Sequence, residues 1–511
     1  MHLVISRYRE SPLEALLVLM LQVSPRPSTA VHEGRKKRTF GKPVGKASLL
    51  LLRAILVLFA GVASMRLVPQ ALADEPQQER WNAFGQATYI WHRKDAFPAA
   101  YTNLNGTPNS LLPDKERSFT TTATGFFGWR AWQGGELYFA PEIISELPLS
   151  GLRGLAGSIQ NGELEKNGMV TPTLYVSRLF LRQTWGLGGE SSRVESGPMQ
   201  LAGSVDSRRF VLTAGNLSVI DVFDRLAYAG DVRQQFLNMN FLTYAAYDFA
   251  ADARGYSWGV AGEYYRDDWM VRLGRFLGPR NPNQLRLDLQ IMKHYGDQFE
   301  LEHRHKLAGR PGKLRLLAYR NVENMGSYDD AVNAFAGDPG KNATTCGGFN
   351  YDSGNAGAPD LCWARKRNTK IGLGVAAEQQ VSDNVGIFFR GMKSDGRTEV
   401  FSYTATDSSV SFGTIVGGAA WGRAKDAVGL GYAENRISAA HVRYLDLGGI
   451  DGFIGDGRIS YKPERAFEAY YNINLTRNAW LTMDWQRVAN PAYNSDRGPV
   501  TISGLRLHFE F

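Results

Sequence analysis

Between residues 220 and 254 the chain gathers Asp221, Asp224, Arg225, Tyr228, Asp231, Arg233, Asn238, Tyr247, Asp248, Asp252 and Arg254 into one short segment. Carboxylates, guanidiniums, an amide and phenols at this density can hydrogen-bond a hydroxyl-rich solute and stack on its C–H faces. A passage for such a solute needs contacts favourable enough to enter and loose enough to leave, and mixed charge signs suit a neutral solute better than an ion filter. The same residues are equally suited to tying a loop to the wall behind it, so both roles stay open here. Arg178 and Arg182 fall on one face of an extended segment and are further candidates for contact with solute, or for pairing with acids.

Other reactive residue types lead to less chemistry. Cys346 and Cys362 are the chain's 2 cysteines and lie in a Gly-, Asn- and Asp-rich stretch, where an oxidising compartment favours a disulfide. A metal site there would need two more ligands, and no His is near. His303 and His305 share a strand face without a carboxylate, so interfacial positions are expected rather than a metal site. Asp456 with Arg458, and Asp496 with Arg497, are expected as turn and loop charges, and Asn342-Ala343-Thr344 is a glycosylation acceptor in form only. No phosphate-cradling Gly-Lys loop or His-Glu-x-x-His is present, and no enzyme, cofactor or metal is expected.

The elements that must carry these residues alternate with period two. Leu285, Leu287, Leu289 and Ile291 interleave with Arg286, Asp288 and Gln290; Phe299, Leu301 and Leu307 with Glu300, Glu302, Arg304 and Lys306. Phe467 to Leu475, Leu481 to Trp485 and Leu505 to Phe511 repeat the rhythm. Further strands are expected at 83–94, 119–131, 135–144, 173–185, 209–218, 255–266, 269–277, 313–321, 370–380, 385–393, 398–419 and 427–435, about seventeen in all. Tight turns are expected at Asp267-Asp268, Gly296-Asp297-Gln298, Gly309–Gly312 and Thr476-Arg477-Asn478, and long irregular stretches at 95–117, 146–170, 220–250, 322–369 and 437–464. A β-sandwich would also alternate. Charged residues at successive polar-face positions, aromatics at strand ends and a final aromatic strand ending at Phe511 favour a transmembrane antiparallel up-and-down β-barrel of 16–18 strands. Its long loops are expected to fold partly into the lumen. Within lipid an unpaired backbone group costs several kcal/mol, and a sheet escapes that cost only by closing.

Charge and hydropathy divide the chain once. Residues 1–73 carry 11 Lys and Arg against 3 Asp and Glu, which accounts for the whole excess of 58 basic over 50 acidic residues. The remainder is neutral, which argues against nucleic acid as a partner. Arg35 to Arg38, the apolar run Ala54 to Met65 and Ala71-Leu72-Ala73 describe an extended leader ending in a signal peptide, with cleavage expected between Ala73 and Asp74. A membrane anchor is the alternative, but a spanning helix needs about 20 apolar residues, and Arg53 and Arg66 bracket only 12. Residues 74–511 are then a single barrel domain.

Several strings in this barrel region resemble the carbohydrate-selective porin family (OprB-type). They are Gly135 to Glu142 (GELYFAPE), Arg178 to Gly186 (RLFLRQTWG), Asp231 to Asn238 (DVRQQFLN), Tyr247 to Tyr256 (YDFAADARGY), Ile454 to Arg458 (IGDGR) and Asn490 to Val500 (NPAYNSDRGPV). The resemblance runs from about 130 to 511 and rests on the order and combination of the strings. It implies a 16-stranded outer-membrane barrel of a Gram-negative bacterium that lets mono- and small oligosaccharides diffuse into the periplasm. The 322–369 insert with its two cysteines departs from the pattern. Implied partners are the sugars, outer-membrane lipid and lipopolysaccharide, and the assembly machinery that reads a C-terminal Phe511. A single barrel and a homo-oligomer both fit. Competing readings are a channel for other small solutes or for polysaccharide export, a barrel enzyme and an adhesive barrel.

Overall fold

A strand that alternates greasy and polar side chains must bury one face and wet the other, and its edges must find partners. In the computed structural model, which describes residues 78–164, 169–339 and 357–511, both demands are met by closure. The wall strands are β1 (Trp81–Lys94), β2 (Glu116–Trp132), β3 (Gly135–Leu147) and β4 (Thr173–Gly186). A small hairpin, β5 (Ser191–Val194) and β6 (Gly203–Asp206), follows outside the wall sheet. The wall resumes with β7 (Arg208–Leu217), β8 (Ser257–Arg266), β9 (Trp269–Phe276), β10 (Tyr295–Leu307), β11 (Arg310–Gly326) and β12 (Arg365–Ser382). It is completed by β13 (Val385–Ser394), β14 (Ser408–Gly417), β15 (Ala427–Arg436), β16 (Glu464–Thr476), β17 (Ala479–Ala489) and β18 (Val500–Glu510).

Sixteen strands thus form one closed antiparallel barrel, each beside its neighbour in the chain, with β7 following β4. The seam pairs β1 with β18 from Gln86↔Glu510 to Lys94↔Ile502. Beyond it, the N–H of Gly85 donates to the Phe511 carbonyl (2.7 Å) and the N–H of Phe511 to the Gly85 carbonyl (3.0 Å). No sheet edge is left in the wall.

The two faces separate as the alternation requires. Leu137, Phe139, Leu174, Leu273, Phe299, Leu373, Phe412 and Leu505 point outward and are exposed. Thr120, Glu142, Arg272, Glu300, Glu302, Arg315, Arg390, Glu468, Gln486 and Arg506 point inward and are buried by loops that fill much of the interior. Short connections such as 133–134, 267–268, 308–309, 383–384 and 477–478 lie at one end, with both chain ends of the barrel. The connections that follow β1, β3, β7, β9, β11, β13, β15 and β17 are longer and leave the wall at the other end, the layout of an outer-membrane barrel with short periplasmic turns.

Three expectations are corrected. Residues 285–291 are not a wall strand. They fold back locally, with Arg280 N–H on the Arg286 carbonyl (2.7 Å), Asp288 N–H on the Gly278 carbonyl (2.9 Å) and a lone bridge from Pro279 to Leu287. Their backbone is satisfied inside the β9–β10 loop, so the wall does not need them. Gly296-Asp297-Gln298 lies within β10 rather than in a turn. In 398–419 only Ser408–Gly417 is strand, and what precedes it is an inward-folded loop. Cys362 is disulfide-bonded; Cys346, Ala73 and Asp74 lie outside the described residues.

Candidate functional site

The β7–β8 loop crosses the interior from wall to wall. Leaving β7, Ser218 and Asp221 close a capping box around a single helical turn. Asp224 then accepts from Arg390 on β13 (2.9 Å) and from the Thr243 hydroxyl (2.7 Å), while its own N–H donates to Glu300 on β10 (2.7 Å). Burial raises the Asp224 pKa, and Arg390 and Thr243 work against that rise. The Arg225 carbonyl accepts from Arg315 on β11 (2.5 Å), and the Tyr228 ring lies on Gly386 of β13, where an added Cβ would overlap it. Asn238 caps the short helix α1 (Met239–Leu242), accepting from Asn240 N–H (3.0 Å) and donating to Gln486 on β17 (3.0 Å). The N–H groups of Leu237 and Asn238 both donate to Glu468 on β16 (2.6 and 2.9 Å).

Asp248 makes the densest junction. Its carboxylate accepts from the N–H groups of Phe401 (2.9 Å), Ser402 (2.7 Å) and Tyr403 (3.2 Å) and pairs with Lys370 of β12 (3.3 Å). Both side chains of that pair are buried. Asp224, Asn238 and Asp248 are therefore struts that hold the loop across the lumen.

A second group from the same loop lies beside β3 and β4 and is only partly buried. Arg233, with its side chain 21% exposed, spans Glu142 of β3 (3.0 Å) and Glu163 (2.8 Å). Burial acts against its charge, but Glu163 and Glu142 outweigh that and raise its pKa. The exposed Asp231 accepts the Arg233 N–H (2.8 Å) and so orients it. Arg178 of β4 grips Asp221 through two 2.7 Å bonds and lies over the Tyr256 ring (5.2 Å). Tyr175 donates to Glu142, stands 6.1 Å from Tyr256 and carries Arg254 over its face at 4.4 Å. Asp252 accepts from the N–H groups of Arg254 (2.9 Å) and Tyr256 (3.2 Å), fixing the turn that presents both. Arg182, lower on β4, lies over Tyr138 (5.0 Å) and donates to the Met199 carbonyl (3.1 Å) of the insert that carries β5 and β6.

Tyr175, Tyr256, Glu142 and Glu163 belong to this wall and are not among the candidate contact residues singled out from sequence, whereas Asp221 is. One local feature hides Tyr175. The β3–β4 register shifts between Ala140 and Pro141, leaving Ser177 as an extra residue whose hydroxyl donates to the Ala140 carbonyl (2.9 Å). This bulge re-aims the strand. Below it Arg178, Phe180 and Arg182 face inward; above it Tyr175 does, while Leu174 and Val176 face out. Strict alternation would put Tyr175 and Arg178 on opposite faces.

A closed sixteen-strand barrel with an apolar exterior, an ionic interior and a loop folded across the lumen is an outer-membrane porin. Residues 128–511 match the carbohydrate-selective porin family OprB, and the chain belongs to that family. By structure it is similar to the high-pH form of Pseudomonas putida OprB, at 16% sequence identity and a TM-score of 0.61, over 84% of this chain and 94% of that one. The low-pH form of the same protein gives 12% identity and a TM-score of 0.44, over 84% of this chain and 93% of that chain. The outer-membrane channel DcaP of Acinetobacter baumannii gives 9% and 0.44, over 86% of this chain and all of that one. No curated protein matches the chain by sequence. The protein is a carbohydrate-selective porin of a Gram-negative outer membrane.

Proposed function

We propose that this porin passes neutral mono- and small oligosaccharides into the periplasm along the wall built by Tyr175, Tyr256, Arg178, Arg233 and Arg254, with the buried Glu142 holding Tyr175 and Arg233 in place. The observation that carries the reading is the interleaving of two half-buried phenol rings with half-buried guanidinium groups on one luminal face. Ring faces offer the C–H side of a sugar a stacking surface, and the fixed ionic groups exchange hydrogen bonds with its hydroxyls. Each contact is weak and there are several in succession, which suits passage rather than capture. Arg182, further toward the periplasmic turns, extends the same lining. Diffusion needs no cofactor and no bond is made or broken.

The test is swelling of proteoliposomes in a panel of sugars and organic acids, with sugar block of single-channel current as a second readout. Wild-type protein is expected to admit sugars faster than organic acids of like size. Tyr175→Ala combined with Tyr256→Ala is expected to weaken sugar block at least severalfold while ionic conductance stays or rises. Equal permeation by acids and sugars, or unchanged block in the double variant, rejects this assignment.

A further inference from the structure

The outer face of the barrel carries charge where an apolar surface is required. Asp297 of β10 is paired in register with Arg275 of β9 and Arg320 of β11, and all three point away from the lumen. Arg275 holds Asp297 through two bonds (2.7 and 3.0 Å), and one terminal nitrogen of Arg320 reaches both Asp297 (2.6 Å) and the Tyr295 hydroxyl (3.3 Å). Two guanidiniums share one carboxylate, leaving a net positive charge. Arg320 is half exposed, and among the described residues no hydrogen bond engages its Nε or Nη1.

The depth of this triad matters. Below it, at the periplasmic end of β10, His303 stacks on Trp269 (4.3 Å). From Asp297 to His303 is about 20 Å of strand, roughly 15 Å of height at the usual tilt, against an apolar band of about 25 Å in such barrels. The charges therefore stand at the level of the outer-leaflet headgroups or below it. Beside them runs a groove of about 530 Å³ whose outward lining includes Val260, Leu273, Phe299 and Ala318, closed by Arg275 and Arg320. A second groove, of about 500 Å³, repeats the build: Leu373 and Val410 line it and Glu434 and Arg436 close it, with Arg465 donating to Glu434 (2.8 Å).

We propose that these grooves bind phosphate-bearing lipids of the outer leaflet, an acyl chain lying on the apolar lining and the phosphate taking the free guanidinium edges. Guanidinium matches phosphate with paired, charge-assisted hydrogen bonds. The excess of arginine over carboxylate in each cluster is what an anionic headgroup would neutralise. The inference rests on the outer-membrane location and is independent of which solute crosses the lumen.

The experiment uses the full barrel in neutral detergent, titrated with lipid A, dephosphorylated lipid A and phosphatidylglycerol and read by native mass spectrometry. Wild-type protein is expected to retain phosphorylated lipid at least tenfold better than the dephosphorylated form. Preference for lipid A alone, or for lipid A and phosphatidylglycerol alike, identifies the source, and both support the site. Replacing Arg275, Arg320, Arg436 and Arg465 together by Gln should abolish the phosphate preference, with folding checked by circular dichroism. Asp297→Asn removes the competing carboxylate and should tighten binding severalfold, a gain that a purely structural ion triad would not give. No phosphate preference in wild type, its survival in the fourfold variant, or cross-links from Leu273→Cys showing a second copy over this face would overturn the proposal.

Discussion

Asp248→Ala should loosen the lumen without opening the barrel. The substitution strands Lys370, whose side chain has no solvent exposure, and orphans three backbone N–H groups at 401–403. Removing one partner of a buried pair costs about 3–5 kcal/mol. Taking about 3 kcal/mol as the local share, the 395–407 loop should open roughly a hundredfold more often. Hydrogen exchange reads this directly, because local opening sets protection. The informative amides are those whose acceptors survive the mutation: Glu399, bonded to the Gly326 carbonyl, and Asp407, bonded to the Arg436 carbonyl (both 2.9 Å). Both should exchange roughly a hundredfold faster, while wall amides of β16 to β18 stay as protected as before. Asp248→Asn keeps an acceptor but loses the charge and should fall between. Protection of Glu399 and Asp407 within threefold of wild type in the Ala variant would refute the strut assignment.

Arg233→Ala leaves Glu142 and Glu163 without their shared cation and should change sugar flux in swelling assays with the barrel still folded; Asp231→Ala should do so more weakly, and unchanged flux in both would remove Arg233 from the solute path. Burial pushes the Asp451 carboxyl up to about 6, partly offset by His441 and Tyr328. Because that value exceeds the unfolded one, the stabilisation is complete below about pH 4 and is lost as pH rises through 6, about 3 kcal/mol in all. Asp407 is shifted the opposite way: burial raises it, but His441 and Lys370 lower it overall, so its effect falls below pH 4 and does not overlap. Protease resistance of the 437–463 loop should therefore decline between pH 4 and 7 in wild type and decline less in Asp451→Asn, where Asp456 of the same loop, also raised by burial, still contributes; parallel profiles would contradict this. His441 lies between Asp407 (3.2 Å) and Asp451 (3.3 Å), so His441→Ala should sensitise the same loop at every pH in that range.

Much of the wall was legible because alternation is a direct imprint of having lipid on one side and ions on the other. Leu505, Leu507 and Phe509 against Arg506 and His508 leave little choice of face. The same rule misled at 285–291, where alternation serves a loop that bonds to itself, and it hid Tyr175 behind the Ser177 bulge. Within 220–254 the sequence showed a dense polar segment but not which of its residues bind the wall. Asp224, Asp248 and Asn238 have the same chemistry as Asp231 and Arg233; what separates them is whether a partner such as Arg390, Lys370 or Gln486 arrives from a distant strand. That information is tertiary and has no local signature.

The crossing loop also constrains the order of events during biogenesis. It emerges with β7 and β8, yet Lys370, Arg390, Glu468 and Gln486, and Arg506, which donates to the Val232 and Gln235 carbonyls (2.8 and 2.7 Å), all belong to strands made later. A chain stalled before β16 would hold the loop through β4 and β10 to β13 but would lack its anchors at Glu468, Gln486 and Arg506, so the passage is not complete until the last hairpin docks. Selectivity here is the last property to be acquired, and a truncated barrel would leak before it could discriminate.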